Sequence, residues 1–159
     1  MRIAVFAVGR LKSGPDRLLV ERYVDRAVKS GRPLGLDVSL REFAEGRAPR
    51  TEDRMAQEAA SMLSALPAAA RLVLLDEHGP TPTSVDFARA IARRRDDGLP
   101  DLVFAIGGAD GHGEAIRARA DETLAFGPMT WPHQLVRLLL AEQLYRATTI
   151  LSGHPYHRE

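Results

Sequence analysis

Two imidazoles, a phenol, a guanidinium and a carboxylate fall within one short run, His154-Pro155-Tyr156-His157-Arg158-Glu159. An imidazole titrates near neutral pH, so His157 has the chemistry of a general base. Arg158 stays charged and suits a phosphate or a uracil carbonyl, while Tyr156 can stack on a nucleobase or hydrogen-bond to it. A metal held by His154 and His157 needs at least one more ligand, and Pro155 disfavours presenting the pair from a helix, so no metal is expected. The chain has no cysteine, which excludes disulfides, thiolate metal sites and a cysteine nucleophile. No G-x-S-x-G elbow marks a serine nucleophile.

Three irregular stretches carry further candidates. Gly107-Gly108-Ala109-Asp110-Gly111-His112-Gly113 follows an apolar run and opens a helical pattern. Its glycines are in the wrong order for a dinucleotide fingerprint, but at the C-terminal end of a strand they let backbone approach a ligand. Gly9-Arg10-Leu11-Lys12-Ser13-Gly14 has the two-glycine spacing of a phosphate loop, yet Pro15-Asp16 stands where Lys and Ser/Thr are required. A nucleotide triphosphatase is excluded; Arg10, Lys12 and Arg17 remain a small basic cluster able to touch phosphates. Gly127-Pro128-Met129-Thr130-Trp131-Pro132 holds the only tryptophan and two prolines. It is a stiff loop that either lines a site for a flat heteroaromatic ring or buries Trp131 in the core. Beyond it, Glu142 and Arg146 are four residues apart, so a helix ion pair competes with a role on a substrate.

The elements that position these groups follow from periodicity. Short β-rich runs at 3–8, 36–43, 72–75, 102–106 and, more weakly, 123–126 alternate with helical patterns at 16–29, 52–66, 84–95 and 113–120. Alternation of this kind predicts an α/β fold with a parallel sheet covered on both faces. Ser84 is the expected cap of the third helix, and Arg93, Arg94 and Arg95 suit its C-terminal dipole. Residues 47–50 read as a mobile loop. The final helix, 132–151, carries apolar groups over more than half its circumference, more than one sheet face should cover, which predicts a partner subunit.

Bulk properties set the outer limits. A chain of 159 residues with 45% apolar and 27% charged residues is the size and composition of one globular domain. A formal charge of +1 gives no global attraction to nucleic acid, so any RNA site must be a local patch. The first residues lack the form of a signal peptide and no run is long enough to span a bilayer, so a cytoplasmic protein is expected.

The runs FAIGGADG (104–111), MTWPHQLVRLLLAEQLYRA (129–147) and HPYHRE (154–159), with AVGRLK (7–12) and LVLLDEHG (72–79), closely resemble the SPOUT class of knotted methyltransferases, in particular members acting on large-subunit ribosomal RNA. The likeness covers essentially the whole chain. It implies a single domain over 1–159, with a parallel sheet flanked by helices and a C-terminal trefoil knot, assembled as a homodimer. The implied reaction moves a methyl group from S-adenosylmethionine to N3 of a pseudouridine in 23S rRNA of assembled ribosomes. Carried onto this sequence, the cofactor pocket comprises Leu75, Gly107, Gly108, Gly127, Pro128, Met129, Thr130, Trp131 and Pro132. His157, Arg158 and Tyr156 become the catalytic group, and His133, Glu142, Arg146, Arg10 and Lys12 position the RNA. The rival reading is a non-catalytic ribosome-binding module on the same fold. Two departures stand out. His112 replaces a common leucine, which predicts a more polar pocket rim, and Trp131 replaces a smaller side chain beside the adenine.

Overall fold

The computed structural model describes residues 1–156. Strands β1 (Arg2–Val8), β2 (Asp37–Phe43), β3 (Arg71–Leu75), β4 (Asp101–Ile106) and β5 (Glu122–Leu124) form one sheet in the order β2-β1-β4-β3-β5. Every pairing is parallel, with Val5 opposite Leu40 on one side and Phe104 on the other. The connecting helices are α1 (Pro15–Gly31), α2 (Thr51–Ala65), α3 (Ser84–Asp96), α4 (Glu114–Arg119) and α5 (His133–Leu151). Each expected element is present, and the chain forms a single α/β domain.

Side-chain alternation along the strands divides the core in two. Ile3, Val5 and Ala7 of β1, with Leu102, Phe104 and Ile106 of β4, face a layer that includes Ala27 of α1, Phe87 of α3 and Leu140 of α5. Their neighbours Phe6, Val8, Val103 and Ala105 face the opposite layer, with Ala59 and Met62 of α2 and Ile116 of α4. All six residues of β4 are buried, as a central parallel strand requires.

Three expectations change in detail. Thr83, one residue before Ser84, caps α3: its Oγ1 accepts the Asp86 N–H at 3.1 Å. Ser84 instead donates to Gln143 Oε1 of α5 at 2.8 Å. Strand β5 ends at Leu124, because the Ala125 N–H turns away to the Pro80 carbonyl at 2.9 Å. The stretch 47–50 is held by side chains of α2 and is not a loose loop.

Helix α5 buries Leu140, Ala141, Leu144 and Ala147 against α1 and α3, while Leu135 remains 38% exposed. On its buried face sits a charged residue that periodicity does not reveal. Arg137 is 1% exposed, with Nη1 on Glu42 Oε1 at 2.5 Å and Nη2 on the carbonyls of Val8 (3.0 Å) and Gly9 (2.9 Å). Glu42 also accepts the Leu11 N–H at 3.0 Å, so the guanidinium ties α5 to the ends of β1 and β2. Replacing Arg137 with Met leaves Glu42 without its counter-charge, keeping only the Leu11 N–H, and takes the guanidinium donor from two carbonyls. We expect a loss of about 3 kcal/mol, the lower end for a broken buried pair because Glu42 keeps some solvent. Urea unfolding measures it; a loss below about 1 kcal/mol would contradict this role. No helix among the described residues is long and apolar enough to cross a membrane.

Candidate functional site

All five strands run the same way, so their C-terminal ends share one edge, where open α/β sheets bind ligands. A cavity of about 660 Å³ lies there, bounded by the end of β3, the turn after β4 and the loop after β5. That volume is ordinary for a small-molecule site. Leu75, Gly107, Gly108, Gly127, Met129, Thr130, Trp131 and Pro132 line it, so all the residues expected at the cofactor except Pro128 come together; His133, expected on the RNA, lines it as well.

The glycine turn has its own steric logic. A Cβ on Gly107 would stand 2.5 Å from the Gly111 carbonyl oxygen, and one on Gly113 would stand 2.7 Å from that of Met55. Gly111 adopts φ +86° and donates to the Gly108 carbonyl at 3.0 Å. These glycines are therefore required by the chain's own close packing. The backbone lining the cavity is a consequence of that packing.

Across the cavity, Trp131 is 40% exposed and Met129 69% exposed, so burial of the tryptophan in the core is overturned. Thr130 Oγ1 donates to Glu77 Oε2 at 2.6 Å, bridging the loop after β5 to the loop after β3. Asp76 accepts from the His78 N–H (3.0 Å) and from Arg117 Nη1 (2.5 Å). Burial would raise its pKa, but the His78 backbone N–H, the Arg117 guanidinium and the His78 ring outweigh it and hold the carboxyl at about 2. The pocket wall thus carries a fixed Asp76–Arg117 ion pair. Asp76, Glu77, His78 and Arg117 were not anticipated. For the first three the signal was available in LVLLDEHG, where polar residues leave the end of a parallel strand; Arg117, on α4, reaches the cavity only through the fold.

His112 lines the cavity as expected, but as a nearly buried group: it is 6% exposed, with Nε2 at 3.1 Å from the Leu75 carbonyl and Nδ1 without a partner among the described residues. Burial pushes its pKa below the ordinary 6.5, the Leu75 carbonyl opposing this and Arg117 adding to it. As the pH falls past 6.5 the unfolded chain binds a proton that the folded chain still refuses, so stability is lost on the acid side until the folded pKa is reached. His112→Leu should flatten that acid limb by up to one proton, read from unfolding midpoints across pH. An unchanged slope would show that His112 titrates normally.

A second cluster lies on α5. Arg146 Nη2 donates to Glu142 Oε1 at 2.6 Å, and Tyr156 Oη donates to the same oxygen at 3.1 Å. The Arg146 guanidinium sits 5.0 Å from the Tyr156 ring centroid, and Tyr145 packs on that ring at 4.7 Å. Burial first, then Tyr23 and Glu142, push the Tyr156 phenol up, so it remains a donor. The pair is thus an i,i+4 ion pair that also receives the tail. Glu142 is nine residues beyond His133, about 13 Å along the helix, so this cluster stands apart from the cavity. His157 and Arg158 lie outside the described residues. Arg10 and Lys12 are exposed on the loop after β1, whose Gly9 lies beside the pocket wall: a Cβ there would be 3.6 Å from His133 Nε2. Among the described residues, no three His, Asp or Glu side chains gather as a metal ion would require.

A family model described as "Predicted SPOUT methyltransferase" matches residues 1–157. The chain belongs to the SPOUT methyltransferase family. The match takes in β1 through α5 of this SPOUT methyltransferase, so it includes the cavity and the α5 cluster as well as the sheet. Full-length relatives agree. A Brucella anthropi protein named "Ribosomal RNA large subunit methyltransferase H" is 57% identical over 159 residues, covering 99% of each chain. Proteins of the same name from Xanthobacter autotrophicus and Brucella abortus are 56% and 54% identical, again over 99% of each chain.

Proposed function

We propose that the chain methylates N3 of a pseudouridine in 23S rRNA of assembled ribosomes, using S-adenosylmethionine. The observation that carries this reading is the cavity at the strand edge, in a chain over half identical to proteins named for large-subunit rRNA methylation. Its residues fit the cofactor. Leu75, Ile106 and Trp131 offer apolar and aromatic surface for an adenine, and the Asp76–Arg117 pair and Glu77 offer polar groups to the rest of the ligand. Leu75, Gly107, Gly108 and the 127–132 loop would hold it. When bound, S-adenosylmethionine supplies a methyl group on a sulfonium whose departure as a neutral thioether needs no acid.

The protein's part is then orientation and proton removal. Fixing the acceptor in line can contribute roughly 7–11 kcal/mol. His157 takes the imide proton, Arg158 holds a carbonyl or phosphate, and Tyr156 stacks on the flipped base. Glu142 and Arg146 hold Tyr156 in place. The incompletely covered face of α5 around Leu135 supports a homodimer in which one subunit's tail serves the other's pocket. The C-terminal knot of the family belongs to the same reading.

Incubating the protein with S-adenosylmethionine and ribosomes that lack the modification should add one methyl group to a single pseudouridine of 23S rRNA, seen by mass mapping. Ribosome binding without transfer, and no heat of cofactor binding, would support the non-catalytic module instead.

A further inference from the structure

The stretch between β2 and α2 is pinned by one helix. The Gly46 N–H donates to Glu58 Oε1 at 2.9 Å and the Arg47 N–H to Gln57 Oε1 at 3.1 Å. Arg54 Nη1 reaches the carbonyls of Ala48 (3.3 Å) and Pro49 (3.0 Å), and its Nε donates to Asp110 of the glycine turn at 2.9 Å. Glu58, 6% exposed, also sits under that turn: a Cβ on Gly108 would stand 2.9 Å from its Oε2. Helix α2 therefore holds the loop after β2 and the glycine turn of the pocket in one fixed relation.

What the pinned loop presents is positive charge. Arg47 is exposed and, among the described residues, makes no ion pair; Arg10 and Lys12 on the adjoining loop share both properties. The two loops touch, since a Cβ on Gly9 would lie 2.8 Å from Glu45 Oε1 and 3.6 Å from His133 on the pocket wall. Glu45, also exposed on this rim, has its Oε1 against Gly9, and the three basic side chains outnumber it. Adjacent strands lie about 4.8 Å apart, so the loops after β1 and β2 stand one and two spacings from the turn after β4. At that spacing they are within reach of nucleotides flanking a base held in the pocket. The opposite rim, where Asp76 and Glu77 stand with Arg117 and His78, carries no comparable excess of positive charge.

The geometry points to the loops after β1 and β2 as the surface that grips the RNA phosphate backbone, through Arg10, Lys12 and Arg47. The inference rests on the RNA-methyltransferase reading above. Phosphate contacts set register without reading sequence, and a loop already held by α2 loses little freedom on binding. The coupling through Arg54 and Glu58 keeps that grip at a constant distance from the cofactor turn.

The test is ribosome binding by the full-length protein across a series of potassium chloride concentrations. Each of Arg10→Ala, Lys12→Ala and Arg47→Ala should lower the slope of log affinity against log salt by about 0.7–0.9, and the triple variant by about 2 or more. Calorimetric affinity for S-adenosylmethionine should stay within about twofold, as should ribosome binding by Arg89→Ala on exposed α3. If the wild type methylates rRNA and the triple variant keeps the wild-type slope, the surface is overturned and the activity stands. A wild type with no affinity for ribosomes overturns both.

Discussion

A chain ending at Gly153 should bind S-adenosylmethionine normally and transfer almost no methyl to ribosomal RNA. Truncation removes Tyr156 and its hydrogen bond to Glu142, the stacking of Tyr145 and Arg146 on its ring, and the residues from His157 onward. A positioned general base is worth about 10²–10⁴-fold, and loss of a base-stacking aromatic costs about 1–3 kcal/mol more, so a fall of at least about 10³-fold in kcat/KM is expected. The fold should survive: Leu140, Leu144 and Ala147 keep their burial, and β5 and the pocket loops make no described contact with residues 154–156. Single-turnover rates and cofactor calorimetry on the same preparation separate chemistry from binding. Tyr156→Phe, which keeps the ring and loses only the bond to Glu142, should fall much less. A truncated chain with full turnover would remove the tail from the mechanism.

Gly107→Ala should weaken S-adenosylmethionine binding by at least about 100-fold, close to 2.7 kcal/mol. The new Cβ would meet the Gly111 carbonyl oxygen at 2.5 Å and its carbon at 2.7 Å, both backbone atoms that no rotamer change can move. The turn must open, breaking the Gly111-to-Gly108 hydrogen bond and moving the wall of the cavity. Gly14→Ala is the control, since nothing lies within 4 Å of a Cβ there. Circular dichroism and thermal melting show whether the variant folds; folded Gly107→Ala protein with wild-type affinity would mean the turn does not shape the cofactor site.

How much was legible varies by residue and for a physical reason. The alternation Ile3, Val5, Ala7 against Phe6, Val8 states which side chains share a face, and it was enough to place each strand. Trp131 was left between core and pocket because aromatic character suits both; its exposure on the rim depends on where β5 stops. Arg137 sat unremarked within an apolar helical run. Its burial is tolerable only because β1 and β2 present two carbonyls and Glu42 at that height. The glycine-rich run is enough to bring His112 to the cavity, whereas its near-complete burial against the Leu75 carbonyl depends on the packed fold.

The amino-acid sequence alone determined the α/β class, the strand and helix positions, the glycine turn and stiff loop of the pocket, and, through resemblance, the family. All but the family follow from local periodicity and residue type, which act over a few residues. The tertiary structure decided the order β2-β1-β4-β3-β5, the pinning of the 44–50 stretch by Arg54 and Glu58, the burial of His112 and Arg137, and the docking of Tyr156 on Glu142. Each of these depends on close approach between segments distant in the chain. Such contacts form only when whole faces pack together, and no local pattern encodes the partner.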